Sequence, residues 1–279
     1  MARIVIEVPD EYKPLLTAIE EMVTTVVDTG ARGSGGKAVD YARVEREVGA
    51  ATAGIERAAH AGLLSRLDLD EPKIVVGSVP HTRVGRYEQT YYTLAGEVSV
   101  ERSVDRPDDV RNGKVVDTVS LRAGVVADGW LPQTARAMAH QVQRSTAREA
   151  EDSAAEVGRL PYSRSSFDRV THAVGELYSE RNHEIEDALI TAYEAPPEAR
   201  SASVGLDRVA MPMIEPRPRP PGRPRAGAPK RPITVAWRMA WVATVTLHDK
   251  DGDALHTIRY GAMPSDGATS LLEGVAGDV

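Results

Sequence analysis

The residues with the most chemical promise in this chain lie between Ser201 and Gly261. Asp207 interrupts an apolar, strand-like run, SVGLDRVAMPM, where a hydrophobic residue should continue the alternation. A carboxylate on a strand is a ready ligand for a divalent cation. Phosphoryl transfer on two metals needs several such acids converging on paired cations, and Asp207 is one acid. Arg208 beside it offers the plain alternative, a surface ion pair of small value. Two further strands follow, closed by a tight turn in HDKDGDAL. A carboxylate on a first strand, a hairpin beside it and a cationic segment between them point to metal-dependent nuclease-type chemistry on nucleic acid.

That cationic segment is IEPRPRPPGRPRAGAPKRPI. It holds Arg217, Arg219, Arg223, Arg225, Lys230 and Arg231 among prolines, with Glu215 its only acid. Proline keeps such an arm extended and without internal hydrogen bonds, so its cations are displayed. Gly222-Arg223-Pro224 resembles the core of an AT-hook, with Pro221 where an arginine is expected. Arginine is favoured in a narrow minor groove by the enhanced negative potential there. A basic linker, or a ligand for a proline-binding domain, is the other reading.

A second cluster is Arg164, Ser165, Ser166 and Arg169. It opens a helix that Ser163 or Ser165 is placed to cap. The helix follows Thr146–Val157, also helical, and a short turn at Gly158–Tyr162. Helix, glycine-containing turn and capped helix are the outline of a helix-turn-helix, whose second helix meets bases and phosphates with its first turns. An ordinary helical hairpin with a polar start is the bland alternative, and Glu149, Glu151, Asp152 and Glu156 on the preceding helix repel phosphate.

Other chemistries are excluded or weak. The chain has no cysteine, which removes disulfides, thiolate zinc sites and cysteine nucleophiles. Asp249, Asp251 and Asp253 imitate a calcium loop, but Ala254 and Tyr260 stand where glycine and the closing glutamate are needed; Asp251-Gly252 reads as a hairpin turn. Asp128 reads as a turn residue. The seven histidines show no ligand spacing, GARGSGGK lacks P-loop spacing, and no GxSxG motif occurs.

The elements that must position these residues can be read in order. Arg3–Val8 is a short β-branched run ended by Pro9. Leu15, Leu16, Ile19, Met22, Val23, Val26 and Val27 recur at helical spacing, and Gly30–Gly36 reads as the loop that ends that helix. Ala38–Leu67 is helical again. Ile74–Val76 resumes strand, and Thr82–Arg106 alternates as a hairpin split at Ala95-Gly96, with a mixed-charge solvated face. From Thr118 to about Tyr193 the pattern is helical, with Pro132 opening one helix. The expected division is a helical region at 1–72, a β-hairpin region at 73–117, a helical region with the helix-turn-helix at 118–196, and a strand region at 197–279 holding the basic arm at 214–232. The fold class is α+β.

At 279 residues and 42% hydrophobic, the chain can bury a real core. Its net charge of -7 argues against a uniformly basic coat for nucleic acid but leaves room for a local patch. Aromatics are 5%, too few for a broad base-stacking platform. No apolar run reaches membrane-span length, and the N-terminus lacks a signal pattern, so no membrane association and a cytoplasmic location are expected.

Several stretches together carry a resemblance: TRVGRYEQTYYTLAGEVSVERS, RNGKVVDTVSLRAGVVADGWLPQTARAMAH, GRLPYSRSSFDRV, LDRVAMPMIEPRPRPPGRPRAGAPKRP and ATVTLHDKDGDALHTIRYGAMP. In this order the chain resembles bacterial insertion-sequence DDE transposases of the ISKra type, from about Val75 onward. The resemblance implies an RNase H-like α/β catalytic domain, of which 197–279 would be the first strands. It implies Mg²⁺ as cofactor and Asp207 as the first catalytic, metal-binding acid. The family's second and third acids have no counterpart here, so the chain looks like the front part of a transposase that keeps DNA binding without catalysis. Implied partners are double-stranded DNA at insertion-sequence ends and other subunits, either a second copy or a full-length transposase. A non-catalytic DNA-binding repressor or inhibitor derived from a transposase, and a protein-interaction module using the proline-rich arm, remain as alternatives.

Overall fold

The computed structural model describes residues 5, 7–33, 39–108, 110, 113–215, 234–262, 264 and 269–277. The chain forms two compact units, Met1–Asn182 and His183–Val279. Both mix or juxtapose helix and antiparallel sheet, as an α+β chain should. Among the described residues no helix is long and apolar enough to cross a membrane.

The first unit opens with two long helices, α1 (Lys13–Gly33) and α2 (Tyr41–Ser65). Helix α1 runs through Gly30, which the sequence had suggested would end it. One glycine in a helix costs only about 1 kcal/mol relative to alanine, which packing along α2 offsets. The β-branched run at Arg3–Val8 falls partly outside the described residues, and Val5, Glu7 and Val8 form no strand. Asp40 caps α2 by accepting a hydrogen bond from the Arg43 backbone N–H.

Three antiparallel strands follow, β1 (Lys73–Val76), β2 (Val79–Thr93) and β3 (Gly96–Pro107), in that spatial order. Alternation decides which face is buried. Val98 and Val100 of β3 pack with Tyr91 of β2, Leu64 of α2 and Val119 of the short helix α3 (Thr118–Ala123). Three helices then stack on a second core: α4 (Pro132–Val142), α5 (Ala147–Val157) and α6 (Arg164–Glu180). Their shared core holds Trp130, Met138, Ala150, Ala154, Leu160, Phe167 and Val170.

The loop before α4 ties both cores to the sheet. Trp130 is almost fully buried, and its neighbours Ala127, Asp128 and Gly129 all take positive φ. Asp128 is thus a turn residue, as its sequence context suggested. A Cβ at Gly129 would lie 2.4 Å from the Thr90 carbonyl oxygen, so only glycine allows the loop this close to β2. In return the Gly129 carbonyl accepts from Tyr92 N–H, and Leu131 N–H donates to the Tyr92 carbonyl.

In the second unit, helix α7 (Asn182–Ala192) precedes the strands β4 (Ser201–Glu215), β5 (Thr234–His248) and β6 (Ala254–Ala262). They form one antiparallel sheet in the order β4-β5-β6, and helix α8 (Thr269–Gly277) covers part of one face. Ala243, Val245, Ala262, Leu271 and Val275 make that small core. The turn between β5 and β6 is organised by Asp249, whose Oδ1 accepts from the Asp251 and Asp253 N–H groups. With Gly252 at positive φ, this is a hairpin turn and not a calcium loop.

One buried group in the first unit sets a pH dependence. Asp105 of β3 is fully buried, and neither carboxylate oxygen has a hydrogen-bond partner among the described residues. Burial, then the charge of Asp68, raises its pKa above the usual aspartate value, while His81 and Arg83 pull the other way. A carboxyl raised in the folded state binds its proton more tightly there than in the unfolded chain. Its contribution is therefore complete at low pH and is lost as pH rises through the folded value. Asp105→Asn should gain stability relative to the parent chain as pH rises from acid to neutral, and urea unfolding of both at several pH values will measure it.

Candidate nucleic-acid interface

Helix α5 is closed at its start and α6 is open. Thr146 accepts from the Glu149 N–H, and Glu149 accepts from the Thr146 N–H, so the first turn of α5 is satisfied by its own capping box. This lowers the Glu149 pKa, chiefly through the Thr146 backbone N–H. At α6 the N-cap position is Ser163, but its side chain makes no capping hydrogen bond. Its hydroxyl instead lies 3.0 Å from that of Ser165 and 3.1 Å from that of Ser166. The Ser166 N–H turns back to the Ser163 carbonyl at 2.8 Å, and no side chain caps the positive end of the helix dipole beside Arg164.

Phe167 and Val170 turn inward and fix the roll of α6. Arg164, Ser165, Asp168, Arg169 and His172 are then exposed along its outer side, with Ser166 half-buried. Of the sequence-predicted positions here, Arg164, Ser165 and Arg169 share an accessible helix start. Arg136, Arg144, Arg148, Arg164 and Arg169 are all exposed, and none forms an ion pair among the described residues. Arg83, Arg86 and Arg159 by contrast are paired to Asp70, Asp68 and Glu56. The outer face of α5 stays acidic through Asp152 and Glu156, so α6 and not α5 offers the anion-compatible surface.

The turn between α5 and α6 was not legible as a device. Gly158 closes α5 in the left-handed conformation, with its N–H bonded to the Ala154 and Ala155 carbonyls. Six residues, Gly158–Ser163, separate the helices, more than the usual three or four. The extra length is clamped onto the tip of the β2–β3 hairpin. Leu160, at positive φ, donates its N–H to the Leu94 carbonyl. The Tyr162 hydroxyl donates to the Thr93 carbonyl, and the Tyr162 ring meets Trp130 edge-on at 4.6 Å. Burial raises the Tyr162 pKa, so it stays a donor throughout the physiological range. Arg159 grips Glu56 of α2 with both guanidinium nitrogens, at 2.7 and 3.0 Å.

In the second unit, Asp207 sits mid-way along β4, opposite Val242. The register and alternation place it with Ser203, Gly205, Thr244, Thr246 and Arg259, on the face away from α8. The carboxylate is exposed and accepts the Arg208 backbone N–H at 2.7 Å. The expected side-chain pair with Arg208 is not made. Neighbours on a strand point to opposite faces, and the Arg208 guanidinium lies 6.0 Å from the Trp241 ring on the other side. Among the described residues no three His, Asp or Glu side chains gather as a metal would need. Nearby, Ser203 and His248 Nε2 are 2.8 Å apart, and His248 Nδ1 faces the Gly252 carbonyl at 3.1 Å.

Arg217, Arg219, Arg223, Arg225, Lys230 and Arg231 lie outside the described residues. The structure does place both ends of their segment. Glu215 pairs with Thr234, the last rung of the β4–β5 ladder, so the basic arm joins the two strands of one hairpin. Strand β6 pairs only from Trp241 onward, and Thr234–Ala240 with its β4 partners extends beyond it as a two-stranded ribbon.

Compared with known proteins, the chain matches no family model and no curated relative.

The Tyr162 clamp makes a direct prediction. Tyr162→Phe should remove the hydroxyl's hydrogen bond to the buried Thr93 carbonyl and cost about 0.5–1.5 kcal/mol of stability. Thermal unfolding of the variant, with far-ultraviolet dichroism to check that helix content is kept, will measure the loss.

Proposed function

We propose that this chain binds double-stranded DNA through a helix-turn-helix made of α5 and α6, and that it derives from a DDE transposase without retaining strand cleavage. The observation that carries the DNA reading is the start of α6. It is uncapped by any side chain, flanked by exposed and unpaired Arg164 and Arg169, and held rigidly by its turn. Such a helix start can meet phosphate oxygens with its N–H groups and base edges with its arginines. The sequence resemblance points to insertion-sequence ends as the duplex bound. The basic arm, anchored at the ribbon tip, supplies a second contact, its arginines directed to the minor groove of A·T-rich duplex.

The transposase reading of the second unit is supported by its strand order. Three consecutive antiparallel strands with an acid mid-way along the first, followed by a helix on one face, are how an RNase H-like domain would begin. The residues present do not make a Mg²⁺ site. Among the described residues Asp207 stands without a second acid near it, and its carboxylate accepts its neighbour's N–H. No cleavage step follows from this arrangement. That favours a DNA-binding protein which occupies ends or joins full-length subunits as a repressor or inhibitor.

Duplex binding should weaken steeply as salt rises, because cations released from the backbone drive it. Arg164→Ala and Arg169→Ala should each cost about 1–3 kcal/mol where the arginine reads a base, or lower the salt slope by about one where it meets a phosphate. Fluorescence anisotropy at several salt concentrations separates these outcomes, and salt-independent affinity would retire the reading in favour of protein docking by the arm. Supercoiled plasmid incubated with Mg²⁺ should stay unnicked. Turnover abolished by Asp207→Ala would overturn the non-catalytic assignment.

A further inference from the structure

We propose that the exposed side of α1 docks a second copy of this chain, α1 against α1 in antiparallel orientation. Helix α1 carries two stripes at alternating spacings of three and four. Leu15, Ala18, Met22, Thr25 and Thr29 form the half-buried one, as α1 runs along α2. Leu16, Ile19, Val23, Val26 and Gly30 form the other, one position round the helix, with Leu16 and Ile19 half-buried and Val23, Val26 and Gly30 exposed. The second stripe is the more apolar, yet Val23, Val26 and the adjoining Val27 are 57%, 49% and 62% exposed. Val39 and Tyr41, at the start of α2, are exposed at the same end of the helical hairpin.

Apolar residues alternately three and four apart are the seam of a left-handed coiled coil, so the surface fits a helix. The same seam is complementary to itself. Setting Val23 opposite Val26 of a second copy, in both directions, also sets Ile19 opposite Gly30, since each lies four residues beyond a paired valine. Gly30 has no side chain and a Cβ there would meet nothing within 4 Å, so this register gives the Ile19 side chain of the other copy room to approach the backbone. No charge falls on the seam. Glu20, the acid flanking it, lands beside Val27 of the other copy, and Glu21 and Asp28 face outward. The neighbouring register, with Ile19 opposite Val23, would instead bring the two copies of Glu20 together. The contact spans only a few helical turns, well short of the roughly 1,200 Å² of a stable interface, so the dimer is weak and reversible.

Sedimentation equilibrium of the full chain without nucleic acid, from about 1 to 200 µM as suits a small interface, tests this. A monomer–dimer equilibrium is expected. Val23→Glu with Val26→Glu should raise its dissociation constant at least about tenfold, with helix content unchanged, because two charges would be buried in the seam. The chain has no cysteine, so Val23→Cys and Val26→Cys chains can be mixed and oxidised. A crosslinked heterodimer forming faster than either homodimer supports the register. A monomer throughout, or a dimer indifferent to the glutamates, overturns the proposal. So does a monomer that the glutamates destabilise to heat, since the face would then be covered by this chain's own residues.

Discussion

Three consecutive backbone carbonyls at one hairpin tip hold the first unit together. Thr93, Leu94 and Ala95 close β2 onto β3 and point their acceptors into the helical layer. Burying them without donors would cost as much as several lost hydrogen bonds. Each is met from a different place: Thr93 by the Tyr162 hydroxyl, Leu94 by the Leu160 N–H, Ala95 by the Arg57 guanidinium of α2. The sheet, the long helical hairpin and the three-helix layer therefore share one junction. The unusual length of the α5–α6 turn and the positive φ of Leu160 follow from that demand, because a tighter turn could not reach the tip.

The junction also explains why the start of α6 can stay chemically open. A helix that must hold itself in place spends its first N–H groups on a cap, as α5 does with Thr146 and Glu149. Helix α6 is positioned by Phe167 and Val170 below it and by the clamped turn before it. Its terminus carries no side-chain cap. Around the β2–β3 sheet several charges are paired internally, with Asp68, Asp70 and Asp117 engaging Arg86, Arg83 and Arg102. The unpaired arginines of α4–α6 stand apart from that network.

Local signals were legible in the sequence and long-range ones were not. Alternation marked the β2–β3 hairpin to within one residue of its turn, Pro132 marked the start of α4, and the helical pattern of Thr146–Val157 marked α5. Each depends on residues a few positions apart. The end of α1 was misread because α2, not glycine content, decides whether the helix continues. Ser163 has the right type and place for a cap, yet its hydroxyl turns to its serine neighbours. The partners of Leu160, Tyr162 and Arg159 lie far away in sequence and left no trace that one chain could show. Asp207 was found because it broke a pattern and already stood as a lone acid in the sequence; what only the register could assign was the face of the sheet it shares with Thr244 and Arg259.

The chain has three tryptophans, and they divide unevenly between the two units. Trp130 is sealed in the first, stacked on Tyr92 at 4.3 Å, while Trp237 and Trp241 both lie on β5, the central strand of the second, with Trp237 68% exposed and Trp241 half-buried. Intrinsic emission therefore contains a blue, quencher-shielded population and a red, quencher-accessible one. Their separation gives each unit its own optical signal within the intact chain, without any added label.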